Sequence, residues 1–545
     1  MKKINQLIAG MSALALVATS SCTKKIDEAF ANPNAPVKVP IETILPGVEA
    51  GMVVFHSANG TLYGIARDDQ YIGKFIQNWA TSSTGNNQDK MGDFFGTTTP
   101  DLMGDIWAMV YYGHGQNVAR IIQWGTEEKK WDYVGVAYAI RAWGFLTLTD
   151  VTDDVIYKEA FRPEQLVFNY DNQQTVYEGV IDYCRQALDY LSRTGDGVSQ
   201  TNLNLGDSYM NGGDVNKWKK FVYAVMAKTF HRYTNKSGLY QPDSVIKYCD
   251  LAMQTNAENT NLRWSNAAGS GTFSWYSPTR GNVGTFRQTK FIADLMSGLN
   301  GQFPTGSVDP RAPYIIRENP NGTYKGIRPN KGTDGLSTGD QPNNFWGGIF
   351  STTAGSNATS RYIFTDNPVW PIISAAEIQF VKAEALYRKS DKPGALAAYI
   401  NGINLNFDQL VANYETNVPV ALRMTPGTRA AYLANPLVIP SAANLTLSHI
   451  MLQKYIAMYG WGAVETWVDM RRYHYTDLDP VTGQQVYRDF APPSGTDLFT
   501  TNNGKLIYRE RPRYNSEYLY NAAELNRLGA FGGDYITKEC WFSKP

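Results

Sequence analysis

The sequence predicts a mostly α-helical fold built from helical pairs, with an irregular insertion of loops and short strands set into it. Two observations carry that prediction. Stretches 102–124, 131–148, 173–191, 216–233 and 243–253 hold apolar residues at three- and four-residue steps, the spacing of one helical face, and they read as pairs joined by short connections. Between residues 260 and 371 that periodicity stops. Gly, Asn, Ser, Thr and Pro dominate there, and Trp264, Phe273, Trp275, Tyr276, Phe345, Trp346, Tyr362 and Trp370 follow no helical phase. A stretch this long without periodicity is uncommon inside a compact domain, and its tryptophans argue against disorder.

At the N-terminus, Lys2 and Lys3, the apolar run 7–18 and the small residues Thr19, Ser20 and Ser21 have the three-part form of a secretory signal, so residues 1–21 are expected to be a signal peptide. The run is shorter than the ~20 residues a membrane-spanning helix needs. Small residues directly before Cys22 resemble the lipobox of bacterial lipoproteins, which implies that Cys22 becomes the acylated first residue. Thr19 departs from the Leu usual in that motif, and a plainly cleaved signal with an incidental cysteine is the alternative. Residues 22–40 then read as a polar tether, ending in the turn chemistry of Asn32-Pro33-Asn34-Ala35-Pro36.

The segment 41–259 is expected to be an N-terminal helical repeat region, opening with helices over 40–55 and 68–79 and a polar loop over 80–90. The insertion 260–371 shows one helical stretch, 286–299. The segment 372–476 reads as C-terminal helical pairs. Within it, residues 383–403 (AEALYRKSDKPGALAAYINGI) look like the middle of a tetratricopeptide unit: small residues at the crossing, Tyr387, a Gly turn, then Ala395 and Tyr399. Residues 447–475 are the strongest single element. Leu447, Met451, Tyr455 and Met458 share one face, Gly460 and Gly462 break the helix around Trp461, and Val464, Trp467, Val468 and Arg471 resume it. Glu465, Asp469, Arg471, Arg472 and His474 give that stretch the look of an active-site helix. The plainer reading pairs Arg471 and Arg472 with carboxylates such as Glu465 or Asp469 and assigns Trp461 and Trp467 to packing. A loop-rich region, 477–545, closes the chain, and 41–545 is expected to form one domain overall.

Lys plus Arg and Asp plus Glu balance at 50 each in 545 residues, which gives no electrostatic footprint for nucleic acid. Aromatics make up 13%, with 34 Tyr and 13 Trp, a surplus of rings with polar handles that suits ligand contact as well as cores. Four cysteines without a CxxC spacing and five histidines argue against a dedicated zinc site. Residues 113–118 begin like GxGxxG but end in Val118, and neither Gly-Lys dipeptide completes a phosphate loop. Asp150, Asp153 and Asp154 cluster at a helix end without EF-hand spacing, so capping is the favoured role. Glu377 and Glu384, seven apart, share a helix face, and a hydrolytic carboxylate pair stays open because its separation is spatial.

Several segments, taken in order, resemble one family. Residues 26–51 (IDEAFANPNAPVKVPIETILPGVEAG), 148–160, 170–191, 212–232 (GGDVNKWKKFVYAVMAKTFHR), 374–387, 447–473 and 512–521 (PRYNSEYLYN) are similar to SusD/RagB-type nutrient-binding lipoproteins of the SusD-like 2 branch. The family commonly has Tyr-Gly-Asp where Val151-Thr152-Asp153 stand. The resemblance implies a SusD-like fold of tetratricopeptide-like pairs, anchorage in the outer membrane through acylated Cys22, and a SusC-like TonB-dependent transporter as partner. It also implies a lid-like role over that barrel, an oligosaccharide or peptide ligand held between helices and insertion, and neither catalysis nor a cofactor. On that reading the ligand-binding candidates are Trp79, Asn86 and Asn87 near the first polar loop, with Trp275, Tyr276, Arg280 and Trp346 in the insertion. A helical glycoside hydrolase using paired carboxylates and a helical-repeat scaffold without ligand are the alternatives.

Overall fold

Three antiparallel helix pairs make the frame. A computed structural model of the chain describes residues 38–54, 63–93, 103–162, 164–264, 274, 276, 284–303, 308–347 and 357–545. The expected signal peptide and Cys22 lie outside the described residues. In chain order the helices are α1 (Leu45–Ala50), α2 (Ala66–Phe75), α3 (Gly115–Glu127), α4 (Trp131–Thr152), α5 (Gln173–Tyr190), α6 (Val215–His231), α7 (Pro242–Leu251), α8 (Lys290–Met296), α9 (Ala375–Arg388), α10 (Lys392–Tyr414), α11 (Leu447–Ala457) and α12 (Ala463–Arg472), with further short turns between them. The pairs α4/α5, α6/α7 and α9/α10 stack side by side: α5 lies on α6, α7 on α9, and α9 on α11.

Local chemistry starts these helices where they start. The Asn172 side chain accepts from the Thr175 amide at α5, and Asp214 accepts from the Asn216 and Lys217 amides at α6. Asp391 caps α10 ahead of Pro393, and Thr446 accepts from the His449 amide at α11. The break between α11 and α12 falls where Gly460 adopts a φ of +82°.

Four short strands tie the insertion to this frame. β1 (Trp79–Thr81) pairs antiparallel with β3 (Phe286–Gln288), and β2 (Thr260–Arg263) with β4 (Val369–Ile373). Four helix boundaries differ from the sequence expectation. The helix expected over 40–55 is a 3-10 turn at Ile41–Thr43 followed by α1. The helix expected over 68–79 ends at Phe75, because Gln77 turns left-handed at φ 59° and Trp79 enters a strand. The stretch 286–299 begins as β3 before α8. The stretch 102–124 is interrupted by a π-helical turn over Met109–Gly113.

Apart from the half-buried His474, the charges of 447–475 lie inside the molecule. Arg232, at the C-terminal cap of α6, bridges Asp150 of α4 (2.8 Å) and Glu465 of α12 (2.9 Å). Lys228 contacts Glu377 of α9 at 2.7 Å, and Lys454 of α11 contacts Asp469 at 2.7 Å. Arg472 joins Glu384 (2.8 Å) to Asp469 (2.7 Å), and Arg388 adds a further contact to Glu384 at 3.1 Å. Five cations thus face five carboxylates across five helices. Burial pushes the Glu384 carboxyl up, but Arg472 and His231 outweigh it and hold the group well below the usual carboxylate range. Burial draws the His231 imidazole down to about 4 against the pull of Glu384. It is therefore neutral at pH 7, with Nε2–H donating to Glu384 (2.8 Å) and Nδ1 accepting from the Tyr240 hydroxyl (3.2 Å). Arg471 corrects the pairing expectation. It stacks 3.7 Å from the Trp467 ring centroid and donates to the carbonyls of Asp150 and Tyr508, meeting neither Glu465 nor Asp469.

A second buried carboxyl, Glu510, has no hydrogen-bond partner for either oxygen among the described residues. Burial and neighbouring Asp68 raise it well above its ordinary value of 4.5, partly opposed by Arg471. A raised folded-state value stabilises the fold below the unfolded value and loses that contribution as pH rises toward the folded one. Glu510→Gln, which cannot ionise, is therefore expected to gain on the wild type by about 1.4 kcal/mol per pH unit from pH 4.5 up to the folded-state value, and no further beyond it. Melting temperatures of both proteins at pH 4, 6 and 8 check this; a constant gap would contradict it.

Candidate functional site

The first polar loop is fixed by a buried ion pair. Lys74 on α2 meets Asp89 at 3.1 Å with both side chains fully buried. Asp89 also accepts from the Thr81 amide (2.9 Å), the Thr81 hydroxyl (2.6 Å) and the Asn330 amide (3.3 Å). The loop is thereby stitched to a turn of the insertion: the Gly85 amide donates to the Asn330 carbonyl (3.0 Å), and the Thr84 hydroxyl to that of Lys331 (3.1 Å). At Gly332, φ +52°, a Cβ would sit 2.4 Å from the Ser82 carbonyl oxygen, so only glycine permits this approach. The C-terminal region completes the junction. Asp497 accepts from Asn330 (2.7 Å) and pairs with Lys331 (2.9 Å), and its carbonyl accepts from the Met91 amide.

A cleft of about 520 Å³ opens beside this three-way junction. Its floor is Phe291 of α8 and the buried Asn300, one wall is the Ala491-Pro492-Pro493 segment, and Leu299 stands into it 62% exposed. Gln77 holds that wall, its side-chain amide donating to the Ala491 carbonyl at 2.6 Å. The volume and the mix of apolar surface with a few polar groups are those of a small-molecule site. Two of the cleft's cations are already matched, Lys290 by Asp294 and Lys331 by Asp497. Arg328 is exposed at the rim, and among the described residues it has no carboxylate partner. Gln77, Asn330 and Asp489 carry φ values of 59°, 61° and 66°, so left-handed backbone gathers at the cleft and its rim. Strain of this kind collects at binding sites.

The candidates named from the sequence separate sharply. Trp79, Tyr276 and Trp346 are fully buried, and that overturns them as ligand contacts in this structure. Trp79 is the centre of an aromatic cluster, with Tyr276, Phe286, Phe345, Phe364 and Tyr459 at centroid distances of 5.8 to 6.5 Å, and its indole N–H donates to the Gln70 carbonyl at 2.9 Å. Trp346 packs on Phe364 at 6.4 Å. These rings anchor the insertion on the frame, an area term worth more to folding than any exposed stack. Asn86 and Asn87 lie on the first loop, Asn86 half-buried with its side chain accepting from the Gln88 amide (2.8 Å) and Asn87 exposed. Trp275 and Arg280 lie outside the described residues. The cleft's own Arg328, Leu299, Asn300 and Gln77 were not among the candidates.

The carboxylates weighed for hydrolysis are engaged elsewhere. Glu377 and Glu384 both sit in the buried ion network. Asp150 faces Arg232, Asp153 faces Arg509 at 2.9 Å and the Trp541 amide at 2.7 Å, and burial with neighbouring Asp153 raises Asp154 to about 6. Asp153 ends α4 in a left-handed turn, as the capping and turn reading expects, and Asp150 and Asp153 form ion pairs as well. Among the described residues no three His, Cys, Asp or Glu side chains converge as a metal site needs, and no helix is long and apolar enough to cross a membrane.

Comparison with known proteins places this geometry. The SusD-like_2 family, described as starch-binding associating with outer membrane, matches residues 42–493. No curated protein matches the chain. A SusD homologue from Bacteroides fragilis is 18% identical, with a TM-score of 0.65 over 93% of this chain and 100% of that one. A SusD/RagB family protein from Bacteroides thetaiotaomicron is 17% identical, with a TM-score of 0.66 over 93% and 99%. A chitin-binding SusD homologue from Flavobacterium johnsoniae is 18% identical, with a TM-score of 0.65 over 92% and 98%. At these identities the likeness establishes the fold, while the family match covers most of the chain. The protein thus belongs to the SusD-like_2 family of carbohydrate-binding, outer-membrane-associated proteins.

Proposed function

We propose that the protein captures oligosaccharide at the cell surface in the cleft between first loop, insertion and C-terminal region, and delivers it to a SusC-like TonB-dependent transporter. The observation that carries this reading is the open cleft itself, with Leu299 and Arg328 presented to solvent above the floor of Phe291 and Asn300. The family's description as starch-binding supports a glycan, and a chitin-binding homologue with the same fold points the same way. Acylated Cys22 tethers the protein to the outer membrane, and Asn86 and Asn87 contribute polar contacts from the loop beside the cleft. The protein binds without catalysis: Glu377 and Glu384, the pair weighed for hydrolysis, are buried against Lys228 and Arg472 rather than poised about a substrate.

Arg328→Ala is expected to weaken binding of the preferred oligosaccharide roughly ten-fold, the loss of one charge-assisted hydrogen bond, with melting temperature unchanged. Isothermal titration of the mature protein against neutral and acidic oligosaccharides and a peptide panel checks it. Peptide binding alone, or sugar products in the mixture, would sink the reading. Separately, Cys22→Ala is expected to move the protein from the outer-membrane fraction to the soluble one, measured by fractionation and immunoblot; unchanged membrane association would refute the lipid anchor.

A further inference from the structure

α4 is buried along nearly its whole length. Of its 22 residues only Trp131, Tyr138 and Arg141 reach solvent. A helix that leaves one stripe uncovered ordinarily fills it with polar residues, yet here the stripe is two rings and a guanidinium. α5 lies antiparallel beside it and adds the half-buried Tyr183 and Tyr190, seven residues apart. The rings form one row. Trp131 and Tyr190 have centroids 6.0 Å apart at 28°, Tyr190 and Tyr138 5.6 Å at 10°, and Tyr138 and Tyr183 6.0 Å at 35°. Carbon atoms in contact stand about 3.5–4.0 Å apart, so rings this far apart are offset along the row, and each stays half-buried rather than covered. Arg193 closes one end, its guanidinium 4.1 Å from the Tyr190 centroid. The hydroxyls of Tyr138 and Tyr190 have no partner among the described residues.

We propose that this row is a second saccharide-binding surface, on the outside of the α4/α5 pair. It rests on the glycan-capture reading above. Offset, half-buried rings with the free hydroxyl tips of Tyr138 and Tyr190 match the alternating C–H and O–H faces of a pyranose. A protein interface would instead need an aliphatic core around the rings, and none of the strongly exposed large apolar side chains belongs to α4 or α5. The flanks carry hydrogen-bonding ion pairs, Arg193 with Asp189 and Arg185 with Asp182, each at 2.7 Å. A polymer touching row and cleft together would be held by both, whereas a trisaccharide reports the cleft alone.

The test is native electrophoresis of the mature protein through gels containing soluble starch, glycol chitin or xylan, beside titration with the matching trisaccharides. Tyr138→Ala/Tyr190→Ala is expected to lose roughly five-fold or more in polysaccharide affinity while keeping its trisaccharide affinity, and Arg328→Ala to bind the trisaccharide roughly ten-fold more weakly. Unchanged retardation of a folded double variant overturns the row and leaves the cleft standing, as does equal loss of both ligands, which would make the row a structural support or a transporter contact. No retardation of the wild type by any polysaccharide overturns the glycan reading and the row together. Should the alanine variant not fold, Tyr138→Phe/Tyr190→Phe keeps the packing and removes the hydroxyls. It is then expected to bind polysaccharide roughly two-fold or more weakly, and no loss overturns the proposal.

Discussion

Arg472→Ala is expected to destabilise the protein by about 3–5 kcal/mol, the cost of leaving a buried ion without its partner. Arg472 is fully buried and neutralises Glu384 and Asp469 at once, at 2.8 and 2.7 Å. Its removal leaves two carboxylates in a medium where water cannot reach them, with only His231, Arg388 and Lys454 to share the load. The network spans α4, α6, α9, α11 and α12, so the damage spreads across the joint between the helical pairs. Urea unfolding at pH 7 reads it, and a loss under about 1 kcal/mol would show the network to be dispensable. The same groups set a pH dependence. The depressed Glu384 and Glu465 stabilise the fold above the ordinary glutamate range and lose that contribution as pH falls through their folded values. Burial likewise holds His114 near 3 and His231 near 4, adding to the loss as pH falls below 6.5.

Trp79→Ala is expected to cost about 3–5 kcal/mol as well, for a different reason: it opens a cavity where five rings meet. The packing is close enough that a Cβ on Gly73 would lie 2.5 Å from the Trp79 ring. Because the indole is fully buried and β1 is paired through it to β3, the substitution should loosen the insertion as a whole. Oligosaccharide affinity of the folded fraction is expected to stay within about two-fold of wild type, less than one ordinary hydrogen bond contributes. A large loss of affinity with an unchanged melting temperature would return Trp79 to the binding site.

Those two residues also mark what the sequence could and could not say. The helical pairs were legible because their signals are local. Periodicity set the faces of α5, α6, α7 and α11, Thr446 capped α11, and Gly460 broke the helix at the position its left-handed φ requires. Trp264, Tyr276, Phe345, Trp346, Tyr362 and Trp370 were legible as loop residues, but not as core, since burial in a loop has no period. Trp79 pairs with Gln288, a partner more than two hundred residues away that no local pattern announces. Arg471 and Arg472 differ for the same kind of reason. Adjacent helix positions point about 100° apart, so one meets the Trp467 face and backbone carbonyls while the other meets carboxylates. The cleft was not foreseen because Leu299, Arg328 and Asp489 are distant in the chain. Its only local traces were turn chemistry at Pro329-Asn330-Lys331-Gly332 and the Pro492-Pro493 pair.

The cleft assignment is tested most directly by a crystal structure of the mature protein grown with the oligosaccharide that titration selects. The expected result is an intact sugar chain lying against Leu299, Asn300 and Arg328, with the Trp79 cluster still closed. Sugar bound only away from that cleft, or cleaved within it, would contradict the assignment.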